Sequence, residues 1–181
     1  NTSIVVDSVN LYHTKYLGRK FVTGKITDKC LQRAKGTNAR YPKFTMHSEN
    51  IFEIKDIFPN INFTGRFAIE GSQIIGFGDE KDKAEIDVYR NKKLLAVFKS
   101  KRFNIRNSRI SSRASFVMFT QNDTISHDNV VMKYSFDTLV DNNIQSKLTI
   151  NGDPENTGAP PFKSKYHKIN IYCDNIVWTQ G

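Results

Sequence analysis

From the middle of the chain onward, apolar and polar positions alternate with a period of two. Phe63, Gly65, Phe67 and Ile69 are interleaved with Thr64, Arg66 and Ala68, and Ala84, Ile86 and Val88 with Glu85 and Asp87. A strand sends successive side chains to opposite faces, so this is the pattern of half-buried β-strands. Further units rich in β-branched or aromatic residues follow at 94–98, 102–106, 114–119, 130–136, 147–150 and 168–177. Phe67, Ile86, Val88, Phe103, Ile105, Phe116 and Met118 stand in the core-facing phase. No long amphipathic helix is predicted.

The breaks between these units carry turn chemistry. Arg90-Asn91-Lys92-Lys93, Asn107-Ser108, Gln121-Asn122-Asp123, Asp141-Asn142-Asn143 and Asn151-Gly152-Asp153 all supply Asn, Asp or Gly, which tolerate positive φ or bond their own backbone. Strands about ten residues apart with such turns predict an all-β fold, an antiparallel meander forming a sandwich, an open jelly roll or a β-solenoid segment. The start is less regular. Strands at 4–11 and 20–27 could pair as a hairpin, 28–40 is polar with room for a short helical turn, and a hinge falls near Tyr41-Pro42. The expected organisation is therefore an irregular N-terminal strand or hairpin segment, 1–40, and a main β-rich domain, 41–181. The stretch 151–161, with Pro154, Pro160 and Pro161, reads as a surface loop.

At 181 residues the chain is long enough to bury roughly 70% of its unfolded surface. No run approaches the roughly 20 apolar residues needed to span a bilayer as a helix, and 25% of the residues are charged, so a soluble chain without a transmembrane segment is expected. A start at Asn-Thr-Ser, with no signal-peptide pattern, suggests a piece of a larger polypeptide. Cys30 and Cys173 are too few and too far apart for a disulfide framework or a zinc knuckle, and read as buried thiols or, outside the cytoplasm, one long-range disulfide.

Charge changes the picture more. The net charge of +9 arises from 27 basic and 18 acidic side chains, and nine of the basic ones fall between Arg90 and Arg113, a stretch without an acid. The remaining 18 basic residues balance the 18 acids, so the whole excess sits in three consecutive predicted strands. Arg102, Arg106, Arg109 and Arg113 are the candidate contacts for a polyanion, since clustered cations gain entropy by releasing its counterions. The plainer reading is a solvated sheet face, with Arg102, Asn104 and Arg106 outward and Phe103 and Ile105 inward.

Catalytic and cofactor signatures are absent from the sequence: it has no G-x-S-x-G, H-E-x-x-H, G-x-x-x-x-G-K or G-x-G-x-x-G. No cofactor or metal is expected. Asp79, Glu80, Asp82, Glu85 and Asp87 offer calcium-type oxygens, but Lys81 and Lys83 compete for them, which favours a charged hairpin turn. His13, His47, His127 and His167 have no metal-ligand spacing, and Ser126-His127-Asp128 is turn chemistry rather than a triad, whose members converge from separate loops. Asn62-Phe63-Thr64 and Asn122-Asp123-Thr124 fit the N-glycosylation pattern, relevant only to a eukaryotic secretory chain.

From Tyr41 onward the motifs Tyr41-Pro42-Lys43-Phe44, Ile57-Phe58-Pro59-Asn60, Ile75-Gly76-Phe77-Gly78, Val88-Tyr89-Arg90-Asn91-Lys92, Ser100-Lys101-Arg102-Phe103-Asn104-Ile105-Arg106, Asp123-Thr124-Ile125-Ser126-His127 and Lys165-Tyr166-His167-Lys168 follow in order. This succession, over about residues 41–178, resembles strand-rich segments of large uncharacterised envelope proteins of Bacteroidetes. It is also similar to jelly-roll modules of lipopolysaccharide transport. The resemblance implies a periplasmic or cell-surface setting, with partners among other segments of a parent chain, envelope proteins, or a polyanion such as lipopolysaccharide or polysaccharide. It carries no activity. The expectation is a non-enzymatic β-rich structural or binding module of a larger exported envelope protein. The rival readings are a polyanion-binding protein, nucleic-acid or viral, using residues 90–113, and an enzyme built on scattered carboxylates.

Overall fold

The computed structural model describes residues 3–29, 40–47, 49, 51–140, 143–152 and 160–180. Among them the fold is all-β, without a helix, and every strand belongs to one antiparallel sheet. No helix among the described residues is long and apolar enough to cross a membrane.

Two strands open the chain, β1 (Ser3–Tyr12) and β2 (Phe21–Lys29), and form a hairpin. Across the expected boundary at residue 40, β2 pairs with β3 (Lys43–Met46), so hydrogen bonding runs on into the rest of the sheet. Cys30, most of the polar stretch 28–40 and most of the loop 151–161 lie outside the described residues. Cys173 is exposed.

The centre is built on long strands that change neighbours halfway. In β5 (Ile61–Glu70), residues 61–65 pair with β4 (Phe52–Phe58) and 61–64 with β7 (Ala84–Arg90). Its second half, 66–70, pairs with β6 (Gln73–Phe77), and 68–70 with β3. The change comes at Gly65, which takes φ 156° and has no room for a side chain, since a Cβ there would meet Ala84 Cβ and the Phe63 ring at 2.9 Å. The same crease separates β8 (Lys93–Ser100), which pairs with β7, from β9 (Arg102–Arg106), which pairs with β6. Both lie along β10 (Arg109–Phe119), and at the corner the buried Ser100 and Ser112 hydroxyls bond each other and the Arg102 and Arg113 carbonyls.

Next to β10, β11 (Thr124–Val140) turns the crease with a bulge between its pairings to Phe116 and Ala114. Ser126-His127-Asp128, expected as a turn, therefore lies inside a strand. His127 is buried: Nε2–H donates to the Pro160 carbonyl at 2.7 Å, and Nδ1 accepts from the Asn129 N–H at 3.0 Å. Both ring nitrogens are thus hydrogen-bonded within the fold. Beyond the bulge β11 pairs with β12 (Asn143–Gly152), and β12 with β15 (Asn175–Gln180). A short pair, β13 (Phe162–Ser164) and β14 (Asn170–Ile171), attaches to the start of β11.

Turn chemistry sets the hairpins. Asn91 and Lys92 both take positive φ in the two-residue loop between β7 and β8, the geometry that suits the strand twist. Pro59-Asn60, with Asn60 at φ 63°, closes β4 on β5, and Gly71 at φ 60° opens the loop from β5 to β6.

Folding at the crease brings inner faces together around one core. Phe63, Phe67, Phe98, Phe103, Phe116 and Phe162 are buried within it, and Phe58 from β4 packs on Tyr134 and Phe136 from β11. The β1–β2 loop adds Tyr16 and Leu17, with Lys15 Nζ donating to the Asn107 carbonyl at 3.0 Å. Met118, expected in the core, is half-buried at its rim. Arg66, in the outward phase, is buried instead; it pairs with Asp79 at 2.7 Å and stacks on Phe77.

Candidate functional site: a cationic face across four strands

The basic segment divides at the crease. At the crease three cations meet acids of neighbouring strands and loops: Lys99 pairs with Glu85 at 2.8 Å, Lys101 with Glu80, and Arg102 with Glu70 at 3.1 Å. Burial alone would raise the Glu70 carboxyl, but the Arg102 hydrogen bond and charge, aided by Lys43, outweigh it and hold the carboxyl below its ordinary range. Arg102 is thus committed within the fold.

Past the crease the register lines up a different set. Arg106 on β9 stands opposite Arg109 on β10, Arg109 opposite Ser135 on β11, Ser135 opposite Lys147 on β12, and Lys147 opposite Thr179 on β15. The neighbouring row on the same face reads Asn104, Ser111, Lys133 and Thr149. Inward between the rows point Ile105, Ile110, Tyr134 and Leu148, all buried, which fixes the outward phase. Arg106, Arg109, Lys133 and Lys147 are exposed, and among the described residues none of the four forms an ion pair. They border a shallow depression of about 680 Å³ whose lining also includes Asn104, Ser111, Ser135 and Thr149.

Of the four arginines named from sequence, the structure brings Arg106 and Arg109 together as directly opposed residues. Arg113 is exposed further along β10, opposite Val131, and Arg102 turns to Glu70. Lys133 and Lys147 were missed. Both stand in the outward phase of predicted strands, but only the strand pairing shows that they share a face with Arg106.

The acidic knot takes a structural role. Asp79 accepts from the Lys81 and Asp82 N–H groups at 2.9 and 2.8 Å and from Arg66, and those bonds hold its carboxyl below the usual range, the Asp82 N–H foremost. No three His, Cys, Asp or Glu side chains among the described residues converge as metal ligands.

Comparison with models of protein families, with curated proteins and with solved structures finds no match.

Proposed function

We propose that the chain is a non-enzymatic binding module of a larger exported envelope protein, and that it receives an anionic polymer, a phosphorylated or acidic polysaccharide, on the face of β9–β12. The carrying observation is the cation set Arg106, Arg109, Lys133 and Lys147, which spans four adjacent strands with no acid in its two rows. Like charges directly across a strand pair are unfavourable, so the opposed arginines leave a strain that a bound anion relieves. These strands are interior in the sheet order, so protection of a sheet edge does not account for the charges. Hydroxyl and amide groups between the cations suit sugar oxygens. Those two rows hold no aromatic ring on which a base could stack, which favours a glycan over single-stranded nucleic acid. The envelope setting rests on the resemblance of residues 41–178.

The test is a titration against lipopolysaccharide, heparin and single-stranded DNA at low and physiological salt. Replacing Arg106, Arg109, Lys133 and Lys147 by Ala is expected to weaken lipopolysaccharide and heparin binding by roughly tenfold or more and to flatten its dependence on salt. The Arg102→Ala/Arg113→Ala variant is expected to lose less. Equal losses in the two variants, or no binding by the unaltered protein, defeat the proposal; tighter binding to DNA than to either glycan defeats the choice of ligand.

A further inference from the structure

A second surface lies at the β13–β14 hairpin, which pairs with the start of β11 and not with the later stretch of that strand that carries Lys133. Its base is locked. Phe162 is buried against the Phe116 and His127 rings, at 6.1 and 4.8 Å between centroids. Asp123, in the β10–β11 turn, accepts from the Ser164 hydroxyl, from the Tyr166 N–H at 2.7 Å and from the Thr124 N–H at 2.7 Å. The Lys165 N–H donates to the Thr124 carbonyl at 3.0 Å, and the Ser164 N–H to the Ile169 carbonyl at 3.0 Å. All but the side-chain bond between Ser164 and Asp123 fix backbone, and the side chains of Tyr166 and Ile169 take no part in them.

What those side chains are decides the partner. Tyr166 is 68% exposed, Ile169 53% and Tyr172 78%, and Phe119, the last residue of β10, is 39% exposed. Phe119 and Tyr166 border one open cleft with Lys165. Lys163, Lys165 and Lys168 are all exposed around these apolar groups. A rigid loop that holds large apolar side chains in water has a use for them elsewhere, since isolated exposed hydrophobics are ordinary but a cluster from adjoining loops marks an interaction site. Tyr rings with a wet hydroxyl settle at the level of lipid headgroups, and lysines on the same loop are drawn to anionic ones. Lys165 stands in the cleft beside Phe119 and Tyr166, and Lys163 and Lys168 lie on either side of it along the hairpin. We propose that the β13–β14 hairpin docks on an anionic lipid bilayer, placing Tyr166, Ile169 and Tyr172 at the headgroup boundary with Lys163, Lys165 and Lys168 on lipid phosphates.

Flotation with vesicles at physiological salt tests this. The protein is expected to float with phosphatidylcholine vesicles containing roughly one phosphatidylglycerol in four, and not with phosphatidylcholine alone. The variant Tyr166→Ser/Ile169→Ser/Tyr172→Ser, and separately Lys163→Gln/Lys165→Gln/Lys168→Gln, are each expected to lose about tenfold in binding, with circular dichroism and thermal midpoint unchanged. Tryptophan emission from Tyr166→Trp should shift to the blue on vesicles, while the variant lacking Arg106, Arg109, Lys133 and Lys147 should float as the unaltered protein does. The proposal is overturned if the unaltered protein stays with the soluble fraction, if the apolar triple variant floats undiminished, or if Tyr166→Trp emission stays unmoved while the protein is bound. Loss of flotation in the cationic-face variant alone would assign the attraction to that face and overturn it as well.

Discussion

Phe103→Ala is expected to cost about 3 to 5 kcal/mol of folding stability, a large share of the roughly 5 to 15 kcal/mol available to a domain. Phe103 has no solvent exposure, sits at the second position of β9, and stands opposite Gly76 of β6. Gly76 offers no side chain to fill the vacated space, and the Phe63 ring already packs over it, with a ring carbon 2.3 Å from where a Cβ would be. The cost should therefore include a cavity term as well as lost burial. Asn104→Ala, one residue on and facing outward, should change stability by about 0.5 kcal/mol or less. Denaturant midpoints at constant m-value measure both. A strand pairs in one register only, because a one-residue slip sends every side chain to the opposite face, so similar losses in the two variants would mean that β9 is misplaced.

That pair of residues also shows what could be read without a structure. In 102–106 the alternation of charge and bulk fixes strand, phase and inward residues at once, and the observed burial of Phe103 and Ile105 follows it. Asn91 and Lys92, and Asn60 after Pro59, sit where the backbone demands positive φ. Four strands escape such reading, among them β13, only three residues long. Of the others, β4 carries Asp56 at φ 50° within an irregular register, β6 has a glycine among its apolar residues, and β3 is only four residues long, so none sustains a clean period of two. The predicted strand at 168–177 divides into β14 and β15 around Tyr172–Asp174, where apolar content continues while pairing does not. Ser126-His127-Asp128 looked like a turn because a bulge uses the same residue types as a loop.

The cationic face was half legible for a related reason. Arg106 and Arg109 flank a two-residue loop, so the sequence itself implies that they meet. Lys133 and Lys147 reach them through the β10–β11 and β11–β12 registers, and each of those ladders has an irregularity that no periodicity announces. Conversely, Arg102 belonged to the dense basic run yet is drawn to Glu70, a residue far away in sequence. Charge density along a chain locates the strands concerned; pairing decides which charges are left to face a ligand.

Asp87→Asn is expected to stabilise the protein at neutral pH and to do almost nothing at pH 4. Asp87 lies on the outer face of β7, opposite Asn62 of β5 and Val97 of β8, and one of its carboxylate oxygens is buried with no hydrogen-bond partner among the described residues. Burial first, then the Glu85 charge and a hydrogen bond with Glu85, push its carboxyl up from 3.8 to about 6, with Glu53 adding and Lys99 opposing. The folded state therefore binds this proton more tightly than the unfolded chain. Between about pH 4 and 6 the native protein holds the proton and the unfolded chain releases it, so the contribution is fully present below the unfolded value and is lost as pH rises through the folded one. A rise of this size corresponds to about 3 kcal/mol at most, reduced by partial exposure to about 1 to 2 kcal/mol. Asp7, Glu70, Asp79 and Asp123 are shifted downward and act in the opposite sense, losing their contribution as pH falls. The quantity to measure is the difference in unfolding free energy between Asp87→Asn and the unaltered protein from pH 4 to 8. It should climb from near zero to a plateau by about pH 7, and a difference that stays flat across that range would show that Asp87 is ionised in the fold as readily as in the open chain.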